Sequence, residues 1–310
     1  MNFKKPSFWD LPQPNLISYL LIPFTIPIIL KNFLSVFFKK KKMPNIKTIC
    51  VGNIYIGGTG KTPLAIKLYE ILKKLDNRVA TVKKYYSDQK DEQLLLKKKT
   101  TLIISNSRKN AVQEGLNQNY KFLIFDDGLQ ETKIDYDMKF VCFKSKNWIG
   151  NGQLIPAGPL REKISSLKKF DAVFLNGNFE NFKKIKDIIL SINPHIRIFK
   201  TFYKIKNIQK FDLKFKYFIF SGIGNPSDFK DIMLENKFDV AKEIIFPDHY
   251  QYSLKDLKKI QEIGKKNNLK IVTTEKDYMK IPEEFKKEKE FKNIDLIIQN
   301  ENKLIEFLNK

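Results

Sequence analysis

TICVGNIYIGGTGKTPLAIKLYEILKKL (residues 48–75) runs from a short apolar, β-branched stretch through a glycine-rich loop into a helical pattern. That order is the context a phosphate-binding loop requires. Gly57, Gly58 and Gly60 let backbone N–H groups turn towards an anion without Cβ clashes, with Tyr55, Ile56 and Thr59 completing the loop. The following helix adds the positive end of its dipole. Lys61 is placed to reach β/γ-phosphate oxygens, and the Thr62 hydroxyl to ligate magnesium, so ATP and Mg2+ are the implied ligands. The strict pattern wants Gly at position 55, where this chain has Tyr55, but GGTGKT keeps the cradle.

Outward from this loop, residues 47–54, 78–83, 101–105, 121–126, 139–143 and 170–175 read as strands. The segments after Gly60, after Arg108 and around 179–192 read as helices. Buried strands interleaved with helices predict an α/β fold, a P-loop-type, doubly wound and mostly parallel sheet. A second series follows: YFIFSGIG from Tyr217, KEIIF, a helix near 253–267, LKIVTTE and NIDLIIQN. The Lys-rich stretch 200–216 between them has no clear apolar face. The expected division is a first domain over 43–203, preceded by an N-terminal segment (1–42) belonging to it, and a smaller α/β domain over 204–310. The strand YKFLIF ends in Asp126–Asp127–Gly128. An aspartate at the end of a strand beside a P-loop strand is how magnesium is held; the plain alternative is an Asp-Gly turn.

The N-terminus carries NLISYLLIPFTIPIILKNFLSVFF (15–38) and then Lys39–Lys42. The unbroken apolar part, Leu16–Leu30, would rise about 22 Å as a helix, short of a hydrocarbon core of about 30 Å. Pro23 and Pro27 disfavour one straight span, and no small-residue cleavage site follows. The expectation is a membrane-associating helix at the interface, its lysines on anionic headgroups on the cytoplasmic side. The competing readings are a helix packed on the protein's own core and a true single span.

Composition narrows the rest. The 310 residues are 42% hydrophobic and 29% charged, which excludes a disordered chain. Cys50 and Cys142 lie in apolar runs and read as buried thiols; they offer neither a disulfide scaffold nor a four-ligand zinc site. Lys plus Arg number 57 against 34 Asp plus Glu, a net charge of +23. The excess is mostly Lys, in a chain also crowded with Ile, Asn and Phe, as AT-rich coding produces. With no nucleic-acid-binding signature beside it, no nucleic-acid partner is expected. Asp91–Glu92 begin a helical pattern and are equally an acidic first turn. His249, in FPDHYQYS, follows a strand and is a candidate base or relay, whereas His195 reads as a loop residue. Arg161, in PAGPLR, is a candidate phosphate clamp, and Asn225 sits at a strand end where open α/β sheets bind ligands.

The ordered series VGNIYIGGTGKTP (51–63), DEQLLL (91–96), FDDGLQ (125–130), GNGQLIPAGPLRE (150–162), SGIGNPSDF (221–229), FPDHY (246–250) and TTEKDYMK (273–280), preceded by PSFWD and the apolar segment, resembles the tetraacyldisaccharide 4′-kinase family, the lipid A kinases of Gram-negative bacteria. The resemblance implies transfer of the ATP γ-phosphate to the 4′-hydroxyl of a tetraacylated glucosamine disaccharide 1-phosphate, giving lipid IVA. It also implies a peripheral or monotopic location on the cytoplasmic face of the inner membrane; a monomer is expected. It gives Asp91 the role of accepting the sugar hydroxyl's proton and His249 that of orienting it, with Lys61 at the ATP phosphates. Asp126 and Asp127 would serve magnesium, with Glu92 as a metal-linked carboxylate. Two departures stand out. VKKYYSD (82–88) replaces a Ser-Arg-Gly-Tyr-Gly stretch, leaving Lys83 or Lys84 as substitutes for any substrate-phosphate role there, and Glu131 stands where a His commonly follows DDGLQ, adding a negative charge. The competing functions are a soluble P-loop ATPase or GTPase switch or metal-insertion factor, and a basic binding module without catalysis. Under the first of these, Ile56 lacks the lysine of such loops, no Cys/His cargo cluster is present, and residues 15–38 go unexplained.

Overall fold

The computed structural model describes residues 5–35, 37–38, 40–86, 90–177, 180–205, 207–286, 290–292 and 294–309. Several positions in the sequence reading lie outside the described residues: 1–4, Val36 and Lys39 in the N-terminal segment, Ser87 and Asp88 in VKKYYSD, Phe179, Lys206, and Asn293 of NIDLIIQN.

The elements follow in chain order as α1 (Leu16–Leu21), a 3-10 turn (Ile22–Thr25), α2 (Ile26–Leu34), β1 (Lys47–Gly52), α3 (Lys61–Leu75), β2 (Val79–Lys84), α4 (Lys90–Lys99), β3 (Leu102–Ser105), α5 (Arg108–Asn117), β4 (Phe122–Asp126) and β5 (Met138–Lys144). Next come β6 (Ala172–Asn176), α6 (Phe182–Ile192), β7 (Arg197–Ile205), β8 (Lys216–Ser221), α7 (Pro226–Glu235), β9 (Asp239–Ile245), α8 (Leu254–Lys266), β10 (Lys270–Thr274), α9 (Glu275–Tyr278), α10 (Glu283–Lys286), β11 (Glu290–Lys292), β12 (Ile294–Ile298) and α11 (Glu301–Leu308). The large sheet has the order β12-β7-β6-β5-β1-β4-β2-β3 and the small one β11-β10-β8-β9. The ladders that flank the P-loop strand, β1 with β4 and β1 with β5, are parallel, as is β2 with β4.

The chain forms two compact units. The larger comprises Lys5–Tyr85, Lys99–Phe202 and Ile297–Lys310; the smaller holds Tyr86–Lys98 and Tyr203–Leu296. In the larger unit, alternate residues of β1, β2 and β4 (Cys50, Ala80, Val82, Leu123 and Phe125) pack with Ala111 and Val112 of α5. Val141, Phe143, Val173 and Leu175 of β5 and β6 pack with Ile185 and Ile189 of α6. Both cysteines are free and buried, as expected. In the smaller unit β8 reads KYFIFS, apolar without alternation because both faces are covered. Tyr217 and Ile219 meet Phe229 and Met233 of α7, while Phe218 and Phe220 meet Leu257 and Ile260 of α8.

Three strands differ from the sequence reading, one of them the short β11 (Glu290–Lys292), which no apolar run announces. β7 was not expected: the alternation of RIFKTFYKI, which buries Phe199, Thr201 and Ile205, was hidden among its cations. NIDLIIQN, grouped by order with the second series, supplies β12, the edge strand beside β7 in the large sheet, where Gln299 donates its N–H to the Lys200 carbonyl at 2.9 Å.

The apolar N-terminal run is helical from Leu16 to Leu34, 19 residues that are long and apolar enough to cross a membrane. It is not the core helix of the first competing reading: Leu16, Leu20, Phe24 and Phe33 are exposed, and the residues buried in α1 and the 3-10 turn are polar, Ser18 and Thr25. Ahead of it, the PSFWD segment is docked firmly. Trp9 is buried, its Nε1 donates to the Pro156 carbonyl at 3.0 Å, and its own carbonyl accepts from the Asn151 N–H at 3.0 Å. Gly150 allows that approach, since a Cβ there would lie 2.1 Å from the Trp9 oxygen and φ is +55°.

Candidate active site

The residues singled out from the sequence gather in two sets, one in each compact unit. In the larger unit the β1–α3 loop turns through Gly57 (φ +119°) and Gly60 (φ +90°), conformations open to glycine. Buried Asn53 braces it from behind, its Nδ2 donating to the Gly57 carbonyl at 3.2 Å and to Thr59 Oγ1 at 3.1 Å. Ile56 donates its N–H to the Pro159 carbonyl at 2.9 Å. The Tyr55 hydroxyl bonds to Asp10, and its ring packs with Leu154 and Leu160, so this side chain ties the loop to the N-terminal segment. Gly60 caps α3 with no side chain of its own, so the N-cap supplies no side-chain acceptor to the first N–H groups of the helix that Lys61 opens.

Thr62, in the first turn of α3, donates its hydroxyl to Asp126 Oδ2 at 2.9 Å. β4 ends at Asp126 with its Cα in register with Val51 of β1 on one side and Lys83 of β2 on the other. Lys83 Nζ lies 2.9 Å from the same Oδ2. Asp126 Oδ1 is buried and has no hydrogen-bond partner among the described residues. Asp127 follows at φ +60°, its N–H on the Val51 carbonyl at 2.8 Å. Arg161 Nη1 stands 3.5 Å from Asp127 Oδ1 and 3.4 Å from Gln130 Oε1. The negative charge added by Glu131 is answered locally. Burial would raise its carboxyl, but the N–H groups of Lys133 and Thr132 and the Arg108 guanidinium, 3.5 Å away, outweigh that and hold it below the usual range. Arg108 also donates to the Asp127 carbonyl.

The second set belongs to the smaller unit. Asp91, fully buried in the first turn of α4, meets His249 Nδ1 at 2.9 Å through Oδ1 and 3.1 Å through Oδ2. His249 is held at φ +59°, its N–H reaching the Gly222 carbonyl at 3.2 Å and Asp248 Oδ1 at 3.0 Å. Lys276 Nζ lies 3.3 Å from Asp91 Oδ2, 3.4 Å from Glu92 Oε1 and 3.6 Å from Asp248 Oδ1. Lys280 Nζ is 3.7 Å from Asp91 Oδ2 and 2.7 Å from Asp277 Oδ1. Asp277 Oδ2 in turn accepts from the Gly222 N–H at 3.1 Å and the Thr274 hydroxyl at 2.7 Å. Burial would raise the Asp91 carboxyl; the His249 hydrogen bond and the charges of Lys276 and Lys280 overcome it and bring the group down to about 2. Burial likewise opposes the Lys276 charge, but Glu92, Asp248 and Asp91 raise it above the ordinary lysine value.

A family model described as tetraacyldisaccharide-1-P 4′-kinase matches residues 19–310. The chain belongs to this kinase family. A tetraacyldisaccharide 4′-kinase of Pelagibacter ubique (strain HTCC1062) is 46% identical over the whole of both chains. One of Rickettsia conorii (strain ATCC VR-613 / Malish 7) is 33% identical over 89% of this chain and 88% of its own. Among solved structures, "apo" form LpxK from Aquifex aeolicus in complex with ATP is similar in fold, with a TM-score of 0.68, 24% identity and coverage of 95% of this chain and 99% of its own.

Set against the expectations drawn from the family, Lys61, Thr62, Asp126, Asp127 and Arg161 fall in the first set, and Asp91, Glu92 and His249 in the second. Glu92 is a neighbour of Lys276, its Oε1 3.4 Å from the ammonium. Asn225 precedes α7, and its side chain is engaged in its own turn, donating to Asp228 Oδ1 at 2.5 Å and accepting from the Ser227 hydroxyl at 3.2 Å. The sequence reading gave no role to Asn53, Arg108, Lys276 or Lys280. The two lysines were in view inside TTEKDYMK, but nothing local connects that segment with Asp91.

Proposed function

We infer that this chain transfers the γ-phosphoryl group of ATP to the 4′-hydroxyl of a tetraacyldisaccharide 1-phosphate, forming lipid IVA. The observation that carries the inference is a glycine cradle and helix N-terminus backed by the Thr62–Asp126 pair, in a chain of this family that also holds a buried Asp91 paired with a half-buried His249. The cradle and Lys61 take the ATP phosphates. Asp91, oriented by His249 Nδ1, accepts the proton of the 4′-hydroxyl as its oxygen bonds to the γ-phosphorus and the bond to the bridging β–γ oxygen breaks, releasing ADP. Phosphoryl transfer is loose and depends on positioning more than on a strong base, so a carboxylate held low is adequate. Arg161, beside Asp127, is the phosphate clamp of the set.

The residues fit a magnesium ion: a hydroxyl and a carboxylate side by side, with Asp126 Oδ1 buried and without a hydrogen-bond partner among the described residues. Magnesium takes one or two such protein groups and completes its shell with water and phosphate oxygens. Thr62 and Asp126 would hold it, and it would draw charge from the β- and γ-phosphates as the transfer proceeds. The chain works at the cytoplasmic face of the inner membrane. Its exposed helix 16–34 lies in the acyl boundary, and lysines such as Lys41 and Lys42 meet anionic headgroups.

The test is transfer of labelled γ-phosphate from Mg·ATP to a tetraacyldisaccharide 1-phosphate in detergent micelles. Labelled lipid is expected with the native chain and none with Lys61→Ala. ATP turnover without labelled lipid would instead favour the switch ATPase.

A further inference from the structure

The carboxylate suited to the metal already has a cation on it. Lys83 and Asp126 are in register on adjacent strands, their charged atoms are 2.9 Å apart, and their side chains are 1% and 0% exposed. Asp126 Oδ2 also accepts the Thr62 hydroxyl, so that oxygen is held from two sides while Oδ1 is held from neither. A buried carboxylate alone would be a strong attractor for a bare divalent ion. A buried ammonium beside it opposes such an ion through like-charge repulsion that solvent screens poorly. A metal ion arriving on a nucleoside triphosphate is different, because the complex as a whole is anionic. It is drawn by Lys61, Lys83 and the N-terminus of α3 together.

We propose that Lys83 is the resident counter-ion of Asp126 and makes the site selective for the metal–nucleotide complex over the free divalent cation. This deepens the nucleotide-site reading above and rests on it. Lys83 acts through Asp126 as a positioning residue: it fixes the carboxylate so that Oδ1 is the oxygen offered, and sets a positive charge directly beside it. Removing the ammonium should therefore strengthen binding of a bare cation, the reverse of what loss of an ordinary structural contact would do.

The experiment uses the full chain and Mn2+ as probe, with free Mn2+ followed by electron paramagnetic resonance, alone and with a non-hydrolysable ATP analogue. Lys83→Gln is expected to bind Mn2+ alone at least about ten-fold more tightly than the native chain. Lys83→Arg, which keeps the charge, should behave as native, and all three should bind the Mn2+–nucleotide complex. Mn2+ alone should raise the melting temperature of Lys83→Gln and leave that of the native chain unchanged. Equal affinities of native chain and Lys83→Gln for bare Mn2+ would overturn the proposal. The native chain alone can also overturn it, by binding bare Mn2+ as tightly as the nucleotide complex, whether or not the variant folds. Failure of every form to bind the complex would overturn the nucleotide-site reading itself, and this proposal with it.

Discussion

A carboxylate brought down to about 2 stays ionised throughout the physiological range, and Asp91 owes this to three cationic or donor groups around a fully buried side chain. Such a group is a weak base but a well-fixed acceptor, which suits a transition state with little proton transfer to drive. Asp91→Asn keeps the shape and removes the charge. It should lower phosphoryl transfer by about 100-fold or more while leaving affinity for a fluorescent ATP analogue unchanged. The same shift ties stability to pH. Because the folded value lies below the ordinary value of about 3.9, the ionised cluster contributes fully above that range and is lost as pH falls towards 2. Urea unfolding between about pH 5 and pH 2 should show the native chain losing about 2 kcal/mol more than Asp91→Asn. From the residues alone Asp91 reads equally as an acidic helix start and His249 as one candidate relay; only the family resemblance pairs them. The P-loop needed no such help, because strand, glycines and helix are contiguous in the chain. Lys83 lies in VKKYYSD, but its pairing with Asp126 depends on a strand register that no local pattern encodes.

At the scale of elements, the segment after β10 does more than end a strand. Thr274 caps α9 by accepting from the Asp277 N–H, and Asp277 grips the Gly222 N–H while Lys280 reaches Asp277, Asp91 and, at 3.4 Å, the Gly222 carbonyl. That carbonyl also receives the His249 N–H, so the loop bearing His249 and the helix bearing Asp91 are referenced to one ammonium. Lys280→Met would leave two buried carboxylates short of a partner. It should destabilise the protein by about 3 kcal/mol or more, measured by urea unfolding. Strands whose two faces are both apolar, such as β8, were legible because burial leaves no cations to confuse the pattern. β7 was not, since its exposed positions carry Lys and Arg in a chain already rich in both.

For the whole molecule, the proposed membrane contact and a docked piece of the fold belong to adjacent stretches of the N-terminus. Deleting residues 1–42 would also remove Trp9, which is built into the larger unit, so loss of binding could not be told from loss of structure. Phe24→Glu with Phe33→Glu avoids that, because both side chains are more than half exposed. Partitioning onto anionic liposomes in a sedimentation assay should fall several-fold, with the melting temperature unchanged. The compact units also interleave along the chain: it enters the smaller one at Tyr86, leaves after Lys98, enters again at Tyr203 and leaves after Leu296. A break near residue 203 would leave Asp91 on one polypeptide and His249, Lys276 and Lys280 on the other. Recombination between related genes faces the same constraint. A single crossover in the middle of the gene would pair the carboxylate of one ancestor with the histidine and lysines of another, so the surroundings of Asp91 must be inherited from both halves of the coding sequence together.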